Sequence, residues 1–401
     1  MKRGLAGNVA FAIVGAIVGA SVVLGVDGLT RAPEPTTTPP AEAPSPEPSP
    51  LGRISPSKTV LLVWAPFASG GLPATTERVL EALPGVRNAT TVLAGLDWVS
   101  SSRSSDGTPL DQPPKGFAIP VEAVAIEPRE YAAFVPAAER GRVEALSPGD
   151  VLLAETEADL RSADEGAQLD LQDGTARVAG VVSDIGANGY EVLMARPAPA
   201  SWERVDRFVL MHLKRSSARA SVEREIKDLL GDGRVFRLRA RGETPYMRYG
   251  DAVLPQMLIK RVFGEFAARP RSDGTLDVDE SWRRKNITSA RVPLLGRITC
   301  HRVLLPQIRN AMRDLQANGL DFLVDQYSGC YSPRFIDRNP SGRLSHHSWG
   351  IAVDINAAEN QFGTKPDQDP RLVNVMEDWG FTWGGRWLVP DGMHFEWARF
   401  P

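Results

Sequence analysis

Ser345-His346-His347-Ser348-Trp349-Gly350-Ile351-Ala352-Val353-Asp354 and, later, Asp391-Gly392-Met393-His394-Phe395-Glu396-Trp397 are the two stretches that decide how this chain is read. The chain has 401 residues and 5 histidines, and three of those histidines fall here, each close to an acidic residue. Neutral imidazoles, one carboxylate ligand and a spare carboxylate to act as base are the material of a hydrolytic zinc site. Periodicity supports that reading. Across residues 351–356 the apolar side chains alternate, so Ile351, Val353 and Ile355 share one face of a strand and Asp354 and Asn356 take the other. Across 393–397 the same rule turns Met393, Phe395 and Trp397 inward and His394 and Glu396 away from them. If both strands lie in one sheet, Asp354 and His394 meet on its polar face above an apolar core. His347 precedes the first strand, where a loop folds it over the same spot. Pro390-Asp391-Gly392 is a turn signal that brings Asp391 back beside His394.

The ordered motifs Ser-x-His-x-x-Gly-x-Ala-x-Asp (345–354), Gly-Phe-Thr-Trp-Gly-Gly-Arg-Trp (380–387) and Asp-x-x-His-Phe-Glu (391–396) resemble the D-alanyl-D-alanine carboxypeptidase / L-alanyl-D-glutamate peptidase superfamily. These are the VanY- and VanX-like zinc peptidases and the related phage endolysins. The resemblance covers residues 290–401. It implies zinc as cofactor, with His347, Asp354 and His394 as ligands; the serine and glycine spacing selects His347 over its neighbour His346. It implies a catalytic carboxylate at Asp391, three residues before the last ligand. Many members carry Glu there, and Asp leans toward the endolysin-like branch. Tyr331-Ser332-Pro333-Arg334-Phe335-Ile336 matches the segment whose arginine binds substrate or steadies the transition state, which assigns that role to Arg334. Ser345, Asn356 and Glu396 are candidates to orient the ligands through hydrogen bonds. Trp349, Trp383 and Trp387 are candidates to wall the site. His212 and His301 lie outside the pattern and read as structural. The implied substrates are the stem peptides of bacterial peptidoglycan, cut between L-Ala and D-Glu. A D-Ala-D-Ala carboxypeptidase is the alternative, and a non-catalytic or gated cell-wall-binding regulatory protein is a third reading.

The rest of the chain reads as α+β with a membrane leader. Lys2 and Arg3 precede an uncharged run over 4–26, close to the ~20 residues that cross a bilayer. The positive flank predicts a signal anchor within 1–30, with the remainder on the extracytoplasmic, cell-wall side of the membrane. A cleaved signal peptide is the competing reading. Proline recurs through 31–56, an extended linker. Residues 57–245 read as a separate α+β domain: strands at 59–64, 208–213 and 235–238, helices at 76–83 and 222–230, and a hairpin joining 169–171 to 177–182 across Asp173-Gly174. The order of Leu-Pro-Gly-Val (83–86), Pro-Gly-Asp-Val-Leu-Leu (148–153) and the strand at 178–182 is similar to extracytoplasmic domains of MacB/FtsX-type ABC permeases. That likeness implies a binding or regulatory module with a membrane-protein partner. Residues 246–289 connect the domains, with a helix at 253–266, and an amphipathic helix at 304–315 leads into the peptidase domain of 290–401. There a small antiparallel sheet with flanking helices is expected. The net charge of −3 gives no reason to expect nucleic acid. Of the 2 cysteines, Cys300 and Cys330, both lie in the peptidase domain. Export favours a disulfide between them, with two free buried thiols as the alternative.

Overall fold

Val60-Leu61-Leu62-Val63-Trp64 is apolar at every position, the pattern of a strand covered on both faces. In the computed structural model all of these side chains are buried. The structure describes residues 55–252 and 254–401, so the anchor and almost all of the proline-rich linker lie outside it. Among the described residues no helix is long and apolar enough to cross a membrane.

The apolar run lies in β1 (Ser57–Trp64). It is followed by β2 (Val86–Val99), β3 (Ser101–Arg103), β4 (Pro109–Asp111), β5 (Ile119–Ile126), β6 (Asp150–Ala154), β7 (Gln168–Leu171), β8 (Gly174–Val182), β9 (Val192–Ala195), β10 (Asp206–Leu213) and β11 (Arg237–Arg241). These form an 11-stranded sheet in the order β11-β1-β10-β2-β5-β9-β6-β8-β7-β3-β4. Leu61, Val63, Val209 and Met211 point to one face, where Val222, Ile226 and Leu230 of the helix Arg219–Leu230 cover them. Leu62, Trp64, Phe208 and Leu210 point to the other.

That second core does not stop at the sheet. It continues through Met257, Ile259 and Phe263 of the helix Gln256–Phe263 to Ile308, Val353, Ile355 and Phe395 near the C-terminus. The boundary expected between 57–245 and 290–401 is therefore not a break in the core, and both stretches lie in one compact unit, Glu47–Pro401. The connecting helix is shorter than the expected 253–266. Pro255 precedes it and Gly264, at φ +84, ends it. It also carries a buried ion cluster: Lys260 Nζ lies 2.6 Å from Glu191 and 3.0 Å from Glu265, and Arg161 Nε lies 2.5 Å from Glu157. Charges survive burial only when paired in this way.

Two hairpins follow, β12 (Ala268–Pro270) with β13 (Leu276–Val278) and β14 (Ile287–Val292) with β15 (Gly296–His301). The last sheet contains β16 (Tyr327–Gly329), β17 (Ala352–Ile355), β18 (Phe381–Trp383) and β19 (His394–Trp397), in the order β16-β17-β19-β18 and antiparallel throughout. Helices Leu305–Ala317 and Pro370–Asp378 back it with Ile308, Met312, Leu372 and Met376. The α+β class and the small antiparallel C-terminal sheet are as expected.

His301 joins the connecting helix to β15. Its Nε2–H donates to the Phe263 carbonyl at 3.0 Å and its Nδ1 accepts from Val303 N–H at 3.3 Å, so the ring is neutral. Burial lowers its pKa to about 4, with the bond to Phe263 opposing. The unfolded ring, with its ordinary value of 6.5, binds a proton more readily than the folded one. Stability is therefore complete above that value and declines as pH falls toward 4, by about 3 kcal/mol from this group alone. Urea denaturation at pH 7 and pH 4.5 should show a smaller pH-dependent loss for His301→Gln than for the wild type.

Candidate metal centre

Asp354 in β17 lies directly opposite His394 in β19, and Ala352 opposite Glu396. Opposed residues of an antiparallel pair project from the same face, so the carboxylate and imidazole meet as alternation predicts. Val353 and Phe395 enter the core on the other side. The polar face is largely covered, however: His394 and Glu396 are buried as well, and Asp354 stays partly exposed to the cleft. His347 arrives on the short 3-10 turn His346–Ser348, where Ser345 Oγ accepts from His347 N–H at 3.3 Å. Gly350 then feeds the chain into β17. It has φ +67, and a Cβ there would lie 2.8 Å from His301 N. As a result His347 Nε2, Asp354 Oδ1 and His394 Nδ1 lie 3.1 to 3.2 Å from one another.

Outer partners set both imidazoles. His347 Nδ1 donates to the Cys330 carbonyl at 2.7 Å, and His394 Nε2 donates to Glu396 at 3.2 Å. The two inward nitrogens therefore turn lone pairs toward each other beside a carboxylate. That arrangement is repulsive unless a cation lies among them. The electrostatics of the site express the same demand, because without a cation the carboxylates would draw a second proton onto His394. Burial alone would lower the His394 pKa, but hydrogen bonds to Asp354 and Glu396 push it up to about 10. Burial would raise the Asp354 and Glu396 carboxyls, yet the histidines hold both well below the usual range. Two imidazoles and one carboxylate, with the far nitrogens already hydrogen-bonded, fit a divalent metal such as zinc.

The neighbours sort into distinct roles. His346 is not part of the cluster; its Nδ1 lies 2.7 Å from Glu396, which joins it to His394. Asn356 does not orient a ligand. It sits at φ +55, and its amide bonds Asp325 N, Gln326 N, Leu323 O and Gln368 Oε1 at 2.8 to 3.1 Å, pinning the loop beside β17. Trp349 is core, 4.7 Å from Phe266 between ring centres. Trp383 holds the turn through a 2.8 Å bond to the Gly392 carbonyl. Trp387 walls the site, its ring 5.2 Å from that of His394.

Asp391 lies on the turn before β19. Gly384 passes so close to it that a Cβ would lie 2.7 Å from the Asp391 carbonyl oxygen, which is why the Trp-Gly-Gly stretch tolerates no side chain there. The Asp391 carboxyl is largely buried, and its Oδ1 has no hydrogen-bond partner among the described residues. Burial, reinforced by Asp354 and Glu396, raises its pKa to about 6 against the opposing pull of His394 and Arg334. Arg334 lines the same cleft, with one guanidinium bond to the Ser332 carbonyl at 3.2 Å, and feels the charges of Asp354 and Asp391.

Cys300 and Cys330 are joined in a disulfide, with Cα atoms 5.4 Å apart and a sequence separation of 30. The carbonyl that orients His347 belongs to Cys330, so the bridge braces a ligand as well as the fold. Cys300→Ser should cost about 3–4 kcal/mol of stability. It should also weaken metal binding about tenfold, the lower end for loss of a ligand's outer partner. Urea denaturation and chelator competition measure the two effects separately.

Residues 338–397 match the sequence model of a D-alanyl-D-alanine carboxypeptidase family. That segment contains His347, Asp354, Asp391 and His394. Among solved structures the chain is similar to the periplasmic region of MacB from Actinobacillus actinomycetemcomitans, at a TM-score of 0.32 and 12% identity, over 46% of this chain and 90% of that one. The first likeness read from the motifs is thus met again, and the second structure, at this TM-score, carries no argument. No curated protein matches the chain. The family match and the His/Asp/His cluster together support a hydrolase of the metallopeptidase kind.

Proposed function

We propose that this chain is a zinc peptidase of peptidoglycan stem peptides, held at the extracytoplasmic face of the membrane by residues 1–30 and cutting between L-Ala and D-Glu. One observation carries the reading: His347, Asp354 and His394 converge in a cleft that also presents Asp391, a largely buried carboxyl whose Oδ1 has no hydrogen-bond partner among the described residues. A divalent ion held by the three ligands supplies Lewis acidity toward water and the scissile carbonyl. Asp391 takes a proton from the attacking water and returns it to the leaving amine, the two-way duty that a pKa near the working pH permits. Arg334 donates to the carbonyl oxygen as negative charge builds there. Glu396 and His346 keep His394 turned toward the cluster. The endopeptidase preference rests on Asp at position 391 and the adjoining Trp-Gly-Gly motif. A D-Ala-D-Ala carboxypeptidase uses the same cluster and is the second reading. The sheet of β1–β11 is the part available to a membrane-protein partner.

The test is mass spectrometry of defined muropeptides incubated with zinc-loaded residues 47–401. Release between L-Ala and D-Glu supports the endopeptidase, and loss of a terminal D-Ala makes the protein a carboxypeptidase. No cleavage by metal-loaded protein transfers the assignment to a wall-binding regulator. Because the base must be deprotonated, kcat/KM should rise with pH through about 6 and level off above it.

A further inference from the structure

The cleft over the metal cluster has a second wall that the C-terminal sheet does not build. Its volume is about 510 Å³, within the range that holds a small ligand or a few residues of peptide. It is lined as well by Trp64 and Phe67, at the end of β1, and by Arg248 and Tyr249, after β11. The Tyr249 hydroxyl fastens this wall: it accepts from Phe67 N–H at 3.1 Å and donates to the Ala65 carbonyl at 3.2 Å.

Arg343 lies against the same wall, its guanidinium carbon 5.4 Å from the centre of the Tyr249 ring. Gly250, at φ +90, makes room for it; a Cβ there would lie 2.8 Å from an Arg343 guanidinium nitrogen. Three arginines here share two carboxylates. Arg248 meets Glu122 at 2.5 Å and Arg204 meets Asp206 at 3.1 Å. Arg343 approaches Asp206 only to 3.7 Å, and its guanidinium makes no hydrogen bond among the described residues. A guanidinium carries five N–H donors in a planar fork that suits a carboxylate. Arg343 lines a cleft with those donors unspent, so although Asp206 and Glu122 offset its charge it has room to bind a further carboxylate.

The rim points to a ligand as well. Phe67, Ile336 and Phe362 are 50%, 36% and 45% exposed, and all three line this cleft from separate segments of the chain. Single exposed apolar residues are ordinary, but convergence around one opening marks a contact surface.

We propose that the cleft grips a peptide between its two walls, and that Arg343 is a specificity-determining residue binding a substrate carboxylate on the wall it forms with Tyr249. The proposal rests on the peptidase reading above. In a stem peptide the carboxylate is either the free α-carboxylate of the γ-linked glutamyl residue or the C-terminus. The two share one chemistry, and the experiment separates them.

Three synthetic stem tetrapeptides are titrated calorimetrically into the zinc-loaded full chain carrying Asp391→Asn, which prevents consumption: one with both carboxylates free, one amidated at the glutamyl α-carboxylate, one amidated at the C-terminus. One of the two amides should bind about tenfold more weakly, the worth of a charge-assisted hydrogen bond. Arg343→Gln should bind the free peptide about tenfold more weakly too and should no longer distinguish it from that amide. Arg343→Lys, which keeps the charge but not the fork, should retain only part of the discrimination, and it serves if the glutamine variant fails to fold. Phe67→Ala should weaken all three peptides alike. With Asp391 restored, Arg343→Gln should raise KM and leave kcat nearly unchanged. Equal affinity of the wild-type cleft for all three peptides, no binding of any of them, or full discrimination in Arg343→Gln would overturn the proposal. Failure of the peptidase reading looks different, because the peptides would then bind with the same discrimination and none would be cut.

Discussion

Asp354→Ala is expected to abolish both metal binding and turnover. Asp354 Oδ1 lies 3.1 Å from His394 Nδ1 and 3.2 Å from His347 Nε2, and it is the one anion among the three inward-facing donors. Without it, two lone pairs face each other with no negative charge to favour a dication. Losing several kcal/mol of electrophilic stabilisation corresponds to a drop on the order of 10⁴-fold in kcat/KM. Elemental analysis should find no stoichiometric zinc in the variant. A strong chelator should bring the wild type to the same level, and added zinc should restore the wild type alone. A variant that keeps both its metal and its activity would remove Asp354 from the centre.

Asp391→Asn is expected to separate binding from chemistry. The side chain is close in size to aspartate and Asp391 is outside the ligand cluster, so metal content should match the wild type. The amide cannot take up a proton, and turnover should fall about 10²–10⁴-fold, the range for loss of a positioned general base. The rise of kcat/KM through about pH 6 should disappear with it, because the group responsible no longer titrates. A variant that loses its metal would make Asp391 a ligand. One that stays active with the same pH profile would transfer the proton work to another group. Loss of activity with zinc retained and the profile flattened is the outcome that assigns the base.

Much of the centre was legible in the chain because it depends on local rules. The alternation around Val353 and Phe395 already placed Asp354 and His394 on one face, and the register of β17 with β19 sets them opposite. The positions of Ser345 and Gly350 selected His347 over His346, and the turn formed by the first and the φ of the second account for that choice. Asn356 misled because alternation assigns a face but not a partner; its positive φ turns it out of the strand pattern and its amide is taken up by a neighbouring loop. The strand β2, 14 residues long, went unread because Asn88, Thr90, Thr91 and Gly95 interrupt its apolar pattern. Gly95 is there because a Cβ would lie 2.5 Å from the Trp202 ring, a neighbour that only the folded sheet supplies.

The sequence by itself determined the faces of the two strands and the turn that brings Asp391 near, because these depend on residues a few positions apart and on the fixed two-residue period of a strand, while the family resemblance of the motifs supplied the donor set. Only the tertiary structure decided that one core runs through both halves of the chain, that the polar face of the last sheet is largely covered, and that the cleft has a second wall. Those features rest on contacts such as Phe67 with Tyr249, 182 positions apart. No local period constrains such a pair; it meets only in the folded chain, where the helix Gln256–Phe263 packs in a core that both sheets share.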